Sequence, residues 1–108
     1  MARKISVIIK RPGKKPYHTN ISNTLENLQK TVDGYIEVVR IARNACFIVD
    51  EEARLKGLPY NFSVCGTKLF GTAVFCGVVG EDFTDMPATF EQAKRLFPGM
   101  WVCDDAVI

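Results

Sequence analysis

Among 108 residues the chain has a single histidine, His18, and a single tryptophan, Trp101. Its four cysteines, Cys46, Cys65, Cys76 and Cys103, form no C-x-x-C pair. Zinc ligands have to converge on one tetrahedral centre and usually cluster in sequence, so this spacing argues against a metal site, and no cofactor is expected. Cys46 and Cys76 stand inside apolar, strand-like runs, where a thiol behaves as a small hydrophobe; buried structural thiols are the expectation. Neither G-x-x-x-x-G-K-[ST] nor G-x-G-x-x-G occurs, so Gly66, Gly71, Gly77 and Gly80 read as strand punctuation, not as a phosphate cradle. No apolar run approaches the ~18 residues of a membrane span. No basic stretch followed by an apolar run of about 7–15 residues opens the chain either. The expectation is a cytoplasmic protein with no membrane partner.

What is present is the material of one globular domain, residues 1–108. Hydrophobic residues make up 47% and charged residues 24%, both ordinary values for a packed core. The charge is uneven along the chain. Residues 1–16 hold Arg3, Lys4, Lys10, Arg11, Lys14 and Lys15 and no acid, while the net charge of the whole is only +2. A basic end of this kind suits phosphates, of a nucleotide, a nucleic acid or a lipid, but is read first as a solvated edge strand and hairpin loop whose lysines discourage pairing.

The segment Asn20–Ile41, NISNTLENLQKTVDGYIEVVRI, carries the clearest local signals. Asn23 followed by Glu26 reads as a capping box. Leu25, Leu28 and Val32 fall on one stripe of a short helix over Thr24–Val32, and Asp33-Gly34 ends it. Tyr35–Ile41, rich in β-branched residues, reads as a strand. From Asn23-Thr24-Leu25 through Gln29 and Val32 to Gly34-Tyr35-Ile36-Glu37-Val38-Val39, this segment resembles the phage and Firmicute family catalogued as domain of unknown function 3846. Asp50-Glu51-Glu52 with Lys56–Asn61, and Phe75–Phe83, are similar to the same family's second and third blocks. The resemblance runs roughly from residue 4 to residue 97. It implies an origin in phages or in bacteria that carry them, and it supplies no catalytic residue.

Elsewhere, alternation of Ile5, Val7 and Ile9 with polar neighbours predicts a first strand, and Arg11–Pro16 a turn. Tyr17–Ile21 predicts a second strand. Ala45–Val49 forms a hairpin with Tyr35–Ile41 across Arg43-Asn44. Asp50-Glu51-Glu52 reads as a solvated acidic turn. Leu55–Phe62 reads as a loop, because Pro59 withholds a donor; Leu58 and Phe62 belong to the core in one reading, with Asn61 capping its own turn. Thr72–Val79 is a strand, and Thr89–Phe97 a helix with a Thr89–Gln92 capping box and Phe90, Ala93 and Phe97 on one face. Met100–Cys103 reads as a short last strand or a docking tail. The order β-β-α-β-β-loop-β-α-β predicts an α+β fold with a single, mostly antiparallel sheet and two helices packed on one face.

For catalysis the chain offers little: one histidine, with no serine or cysteine constellation near it in sequence. A weak nucleic-acid binder would rely on the basic N-terminal strand and loop, yet the helix over Thr24–Val32 is nearly neutral. A small-ligand site draws on Tyr35, Glu37, Arg43, Tyr60 and Asn61, with Lys10, Arg11 or Lys14 meeting a phosphate. Tyr60 offers a ring for stacking, and Asn61 an amide that both donates and accepts. Together with the phage resemblance, these residues suggest sequestration of a nucleotide-like host immune signal. The alternative partner is a host protein, met through an edge strand or the apolar tail. A tail that carries Trp101 also predicts a homo-oligomer.

Overall fold

The computed structural model describes residues 3–101. In chain order the elements are β1 (Lys4–Lys10), β2 (Tyr17–Ser22), α1 (Leu25–Val32), β3 (Ile36–Ala42), β4 (Ala45–Asp50) and β5 (Tyr60–Val64). There follow β6 (Thr67–Phe70), β7 (Ala73–Val79), β8 (Asp82–Thr84), α2 (Phe90–Leu96) and a 3-10 turn, Pro98–Trp101. Five strands lie in the order β2-β1-β7-β4-β3, with β8 beside β7, and β5 pairs with β6 in a separate two-stranded sheet. Every pairing is antiparallel. The chain is therefore an α+β protein built on a mostly antiparallel sheet, and β5, β6 and β8 are additions to the strands read from sequence.

The two central strands determine how everything else is placed. Successive side chains of a strand point to opposite faces. On β4, Ala45, Phe47 and Val49 join Ile8, Ala73 and Phe75 in one core cluster, while Cys46 and Ile48 join Ile5, Val7, Ile9, Val74, Cys76 and Val78 in another. Both faces are apolar, so both need cover. Leu28 and Val32 of α1 close one face; Phe62, Val64 and Leu69 of the β5–β6 hairpin and Ala93 of α2 close the other. The helices thus lie on opposite faces of the sheet, where one shared face was expected. The unbroken apolar run of β4 is the reason.

At the start of α1, Thr24 is the cap, its hydroxyl accepting from Asn27 N at 3.1 Å. The expected Asn23–Glu26 capping box does not form. Asn23 faces away, donating through Nδ2 to Phe83 O at 2.9 Å, and Glu26 pairs with Lys30. Leu25, the first helical residue, is 59% exposed, so of the expected apolar stripe only Leu28 and Val32 are buried. At the other end Asp33, not Gly34, takes the left-handed conformation (φ 63). Gly34 is needed because a Cβ there would lie 2.6 Å from Asp50 Oδ1. The Thr89–Gln92 capping box of α2 is present in both directions.

Where a last strand or tail was expected, Met100 is buried and Trp101 packs edge-on against Phe90 with ring centroids 5.5 Å apart. Val102 and Cys103 lie outside the described residues. Among those described, no helix is long and apolar enough to cross a membrane.

Phe47 sits where the layers meet, with the rings of Phe62, Phe75 and Phe97 at 5.3, 5.2 and 5.4 Å. Phe47→Ala removes a side chain that touches the sheet, the hairpin and the residue that caps α2. The expected loss is about 3–5 kcal/mol, read as a lower urea midpoint at unchanged slope. A loss near 1 kcal/mol would mean that the hairpin and α2 collapse inward to refill the space.

Candidate functional site

β3 forms one edge of the main sheet. Glu37 pairs with Val49 and Val39 with Phe47, so both point to the face that the β5–β6 hairpin covers. The hairpin stops short of this edge. Between them is a cleft of about 240 Å³ lined by Glu37 and Val39, by Val49, Asp50, Glu51, Ala53, Arg54 and Leu55, and by Thr67–Phe70 of β6.

One buried carboxylate holds the cleft's end wall in place. Asp50 is 2% exposed. Its Oδ1 accepts from Glu52 N at 2.8 Å, and its Oδ2 accepts from Lys56 Nζ at 2.7 Å. Lys56 donates as well to Asp33 O at 2.9 Å, tying the exit of α1 to the same turn. The acidic turn is therefore solvated only at Glu51 and Glu52; Asp50 is its internal anchor. The hydrogen bond to Asp50 raises the Lys56 pKa above its ordinary value. From this fixed turn Arg54 reaches across to Phe70, its guanidinium carbon 4.7 Å from the ring centroid. Tyr60 meets the same ring edge-on at 5.8 Å. A planar cation is thus laid over one ring of an edge-to-face aromatic pair. Beside it, Glu37 and Lys68 keep their charged ends uncommitted. Among the described residues the ion pairs are Lys30–Glu26 and Lys56–Asp50, and neither Glu37 nor Lys68 takes part.

The residues singled out from sequence are divided between two ends of the sheet. Glu37 lines the cleft, and Tyr60 backs it through Phe70. Tyr35 is 67% exposed just before β3, with its carbonyl held by Glu51 N at 2.8 Å. Asn61 and Lys10 come together: the Asn61 amide donates to Lys10 O at 2.8 Å and to Gly71 O at 2.7 Å. Both are buried, so Asn61 braces the hairpin against β1 instead of capping its own turn. Its Oδ1 is buried with no hydrogen-bond partner among the described residues. Lys10 Nζ donates to Arg11 O, and Arg11 lies over the Tyr17 ring and donates to its hydroxyl at 2.7 Å. Lys14 is exposed in the turn, and Arg43 occupies the β3–β4 turn, at the opposite end of β3 from Glu37. Arg54, Lys68 and Phe70 escaped the sequence reading. The adjoining Leu55–Phe62 stretch was the available signal, since a fixed loop beside a strand edge presents side chains on either flank.

Two further pairings are tertiary. Ser6 Oγ and His18 Nε2 are in hydrogen-bond contact across β1 and β2. The neighbouring carboxylate, Asp85, accepts from Ser6 N at 2.8 Å, so it orients the backbone and not the imidazole. Cys46 and Cys76 face each other across β4 and β7 with Sγ atoms 3.7 Å apart. Their mutual hydrogen bond, then burial, pushes the Cys76 thiol far up, which suits a structural role. Cys65, by contrast, is exposed in the β5–β6 turn at φ 49. Among the described residues no three His, Cys, Asp or Glu side chains are grouped to hold a metal ion.

A family model described as domain of unknown function (DUF3846) matches residues 5–98. The chain belongs to the DUF3846 family. No curated protein and no solved structure matches it. The roles of residues in this DUF3846 domain therefore rest on its own geometry.

The Asp50–Lys56 pair predicts a pH signature. A lysine whose pKa is raised on folding contributes stability below its ordinary value of 10.5, and that contribution is lost as the pH rises through the folded value. Asp50→Asn should lower the melting temperature of the domain throughout the neutral range. The gap from the parent should narrow once the pH climbs past about 10.5. A gap of constant size through that window would assign the whole effect to the Glu52 N bond.

Proposed function

We propose that this DUF3846 domain binds, without turning over, a small planar ligand carrying a phosphate, in the cleft between β3 and β6. The observation that carries the reading is the set of uncommitted groups there: Glu37 and Lys68, beside an Arg54 guanidinium laid over Phe70. Charged side chains lining one recess without pairing each other keep their hydrogen-bonding capacity for a third party. Arg54 supplies a flat surface for stacking, and Lys68 a mobile cation for a phosphate. Sequestration of a nucleotide-like immune signal of a phage's host is the biological role we propose for it, with a second copy of the chain as a partner that could deepen the site.

A second reading is favoured by the outer edge of β3, which pairs with no strand among the described residues. Val38 is 43% exposed on that strand, and an unpaired edge accepts an added strand from another protein. The far end of β3 opens on an apolar groove of about 310 Å³ that includes Ile41, Phe75, Leu96 and Phe97. A partner protein docked there would bind with no dependence on any small molecule.

Thermal unfolding against nucleotides, cyclic dinucleotides and ADP-ribose derivatives separates the two readings. A ligand at 100 times its dissociation constant stabilises the native state by ~2.7 kcal/mol, a shift of roughly 10 °C or more for a domain of this size. Arg54→Ala and Lys68→Ala should each reduce the shift, and the ligand should be recovered intact. Chemical change in the recovered ligand would replace binding with catalysis. No shift across the panel, with capture of a host protein that Val38→Lys prevents, would transfer the function to the β3 edge.

A further inference from the structure

We infer that the cleft selects guanine among the bases, with Glu37 as the residue that reads it; the inference rests on the nucleotide reading above. A carboxylate offers two acceptors and no donor. Of the four common bases only guanine presents two adjacent N–H donors, at N1 and N2, to such a group. Adenine and cytosine each place a ring-nitrogen acceptor next to their amino group, and uracil flanks its single N–H with two carbonyls. An acceptor facing an acceptor leaves both polar groups unpaired, which is costly in a recess. Glu37 is held in position for this role by the sheet. It sits on β3 opposite Val49, two residues from Val39, whose side chain packs into the core on the same face.

The remaining groups fit the rest of a guanine nucleotide. A volume of about 240 Å³ holds a base and leaves the sugar and phosphate at the mouth. Arg54 lies over Phe70 and also lines the cleft, so a base enters against a guanidinium plane, a recurrent stacking surface for bases. Lys68, on β6 and lining the same cleft as Glu37, then meets the phosphate. The division of labour is clear: Arg54 and Lys68 attract any nucleotide, and Glu37 chooses among them.

The test is calorimetric titration of the full chain with GMP, AMP, CMP and UMP. GMP should bind roughly tenfold or more tighter than the other three, the size expected for hydrogen bonds to a charged acceptor. Glu37→Gln replaces two acceptors with one acceptor and one donor, the pattern that pairs with adenine. It should reverse the order of GMP and AMP while keeping the parent melting temperature. Lys68→Ala should weaken all four alike and preserve their order. Equal binding of the four, or a GMP preference that survives Glu37→Gln, overturns the assignment of Glu37 and leaves the nucleotide reading standing. Binding of none of the four, nor of their cyclic dinucleotides, overturns both.

Discussion

The constraint on which the rest of the structure depends is that β4 and β7 are apolar on both faces. A sheet with one wet face needs one covering layer; this one needs two, and a chain of about a hundred residues has few elements to supply them. Eight residues of α1 suffice for one face because they bring Leu28 and Val32 down together. The other face receives a composite cover: a short hairpin, a short helix and a 3-10 turn, interlocked through Phe47 and its three aromatic neighbours. Covers assembled from small pieces leave seams. The cleft beside Glu37 is the seam where the hairpin ends before the sheet does.

Local physics made some of this legible in the sequence. The α2 capping box, the β3–β4 hairpin and the first two strands follow from residues within a few positions of each other, and they form as their signals indicate. Where a signal had a close competitor, the tertiary context decided. Asn23 and Thr24 both make good caps, and the pull of Phe83 O on the Asn23 amide leaves the role to Thr24. The β5–β6 hairpin was hidden by Pro59 and by its short strands, whose apolar residues find partners only when laid across β4. The placement of both helices on one face was overturned by the same apolar runs that correctly marked the central strands.

The candidate site was legible to a lesser degree, for a similar reason. Glu37 stood out as a charge within a strand, and Tyr60 as a ring in a loop. Asn61 drew attention as an amide that both donates and accepts, and the structure commits its donor to buried bonds to Lys10 O and Gly71 O. Arg54, Lys68 and Phe70 have no sequence pattern in common; they meet because Asp50 turns the chain and the hairpin folds back. Ser6 and His18, likewise distant in sequence, meet only because β1 and β2 pair.

The wall of the cleft formed by β6 belongs to no larger sheet. Two-stranded hairpins are marginal by themselves, and this one borrows its order from Phe62, Val64 and Leu69 and from the two bonds of a single asparagine amide. Among the described residues no strand ladder joins it to β1, β4 or β7, and segments held by side-chain contacts alone are the kind that open ahead of a more stable base. Amides of the hairpin would then exchange with solvent ahead of those in the central strands. The recess beside Glu37 would exist only for the fraction of time the hairpin is closed, so affinity for anything bound there is scaled by that fraction.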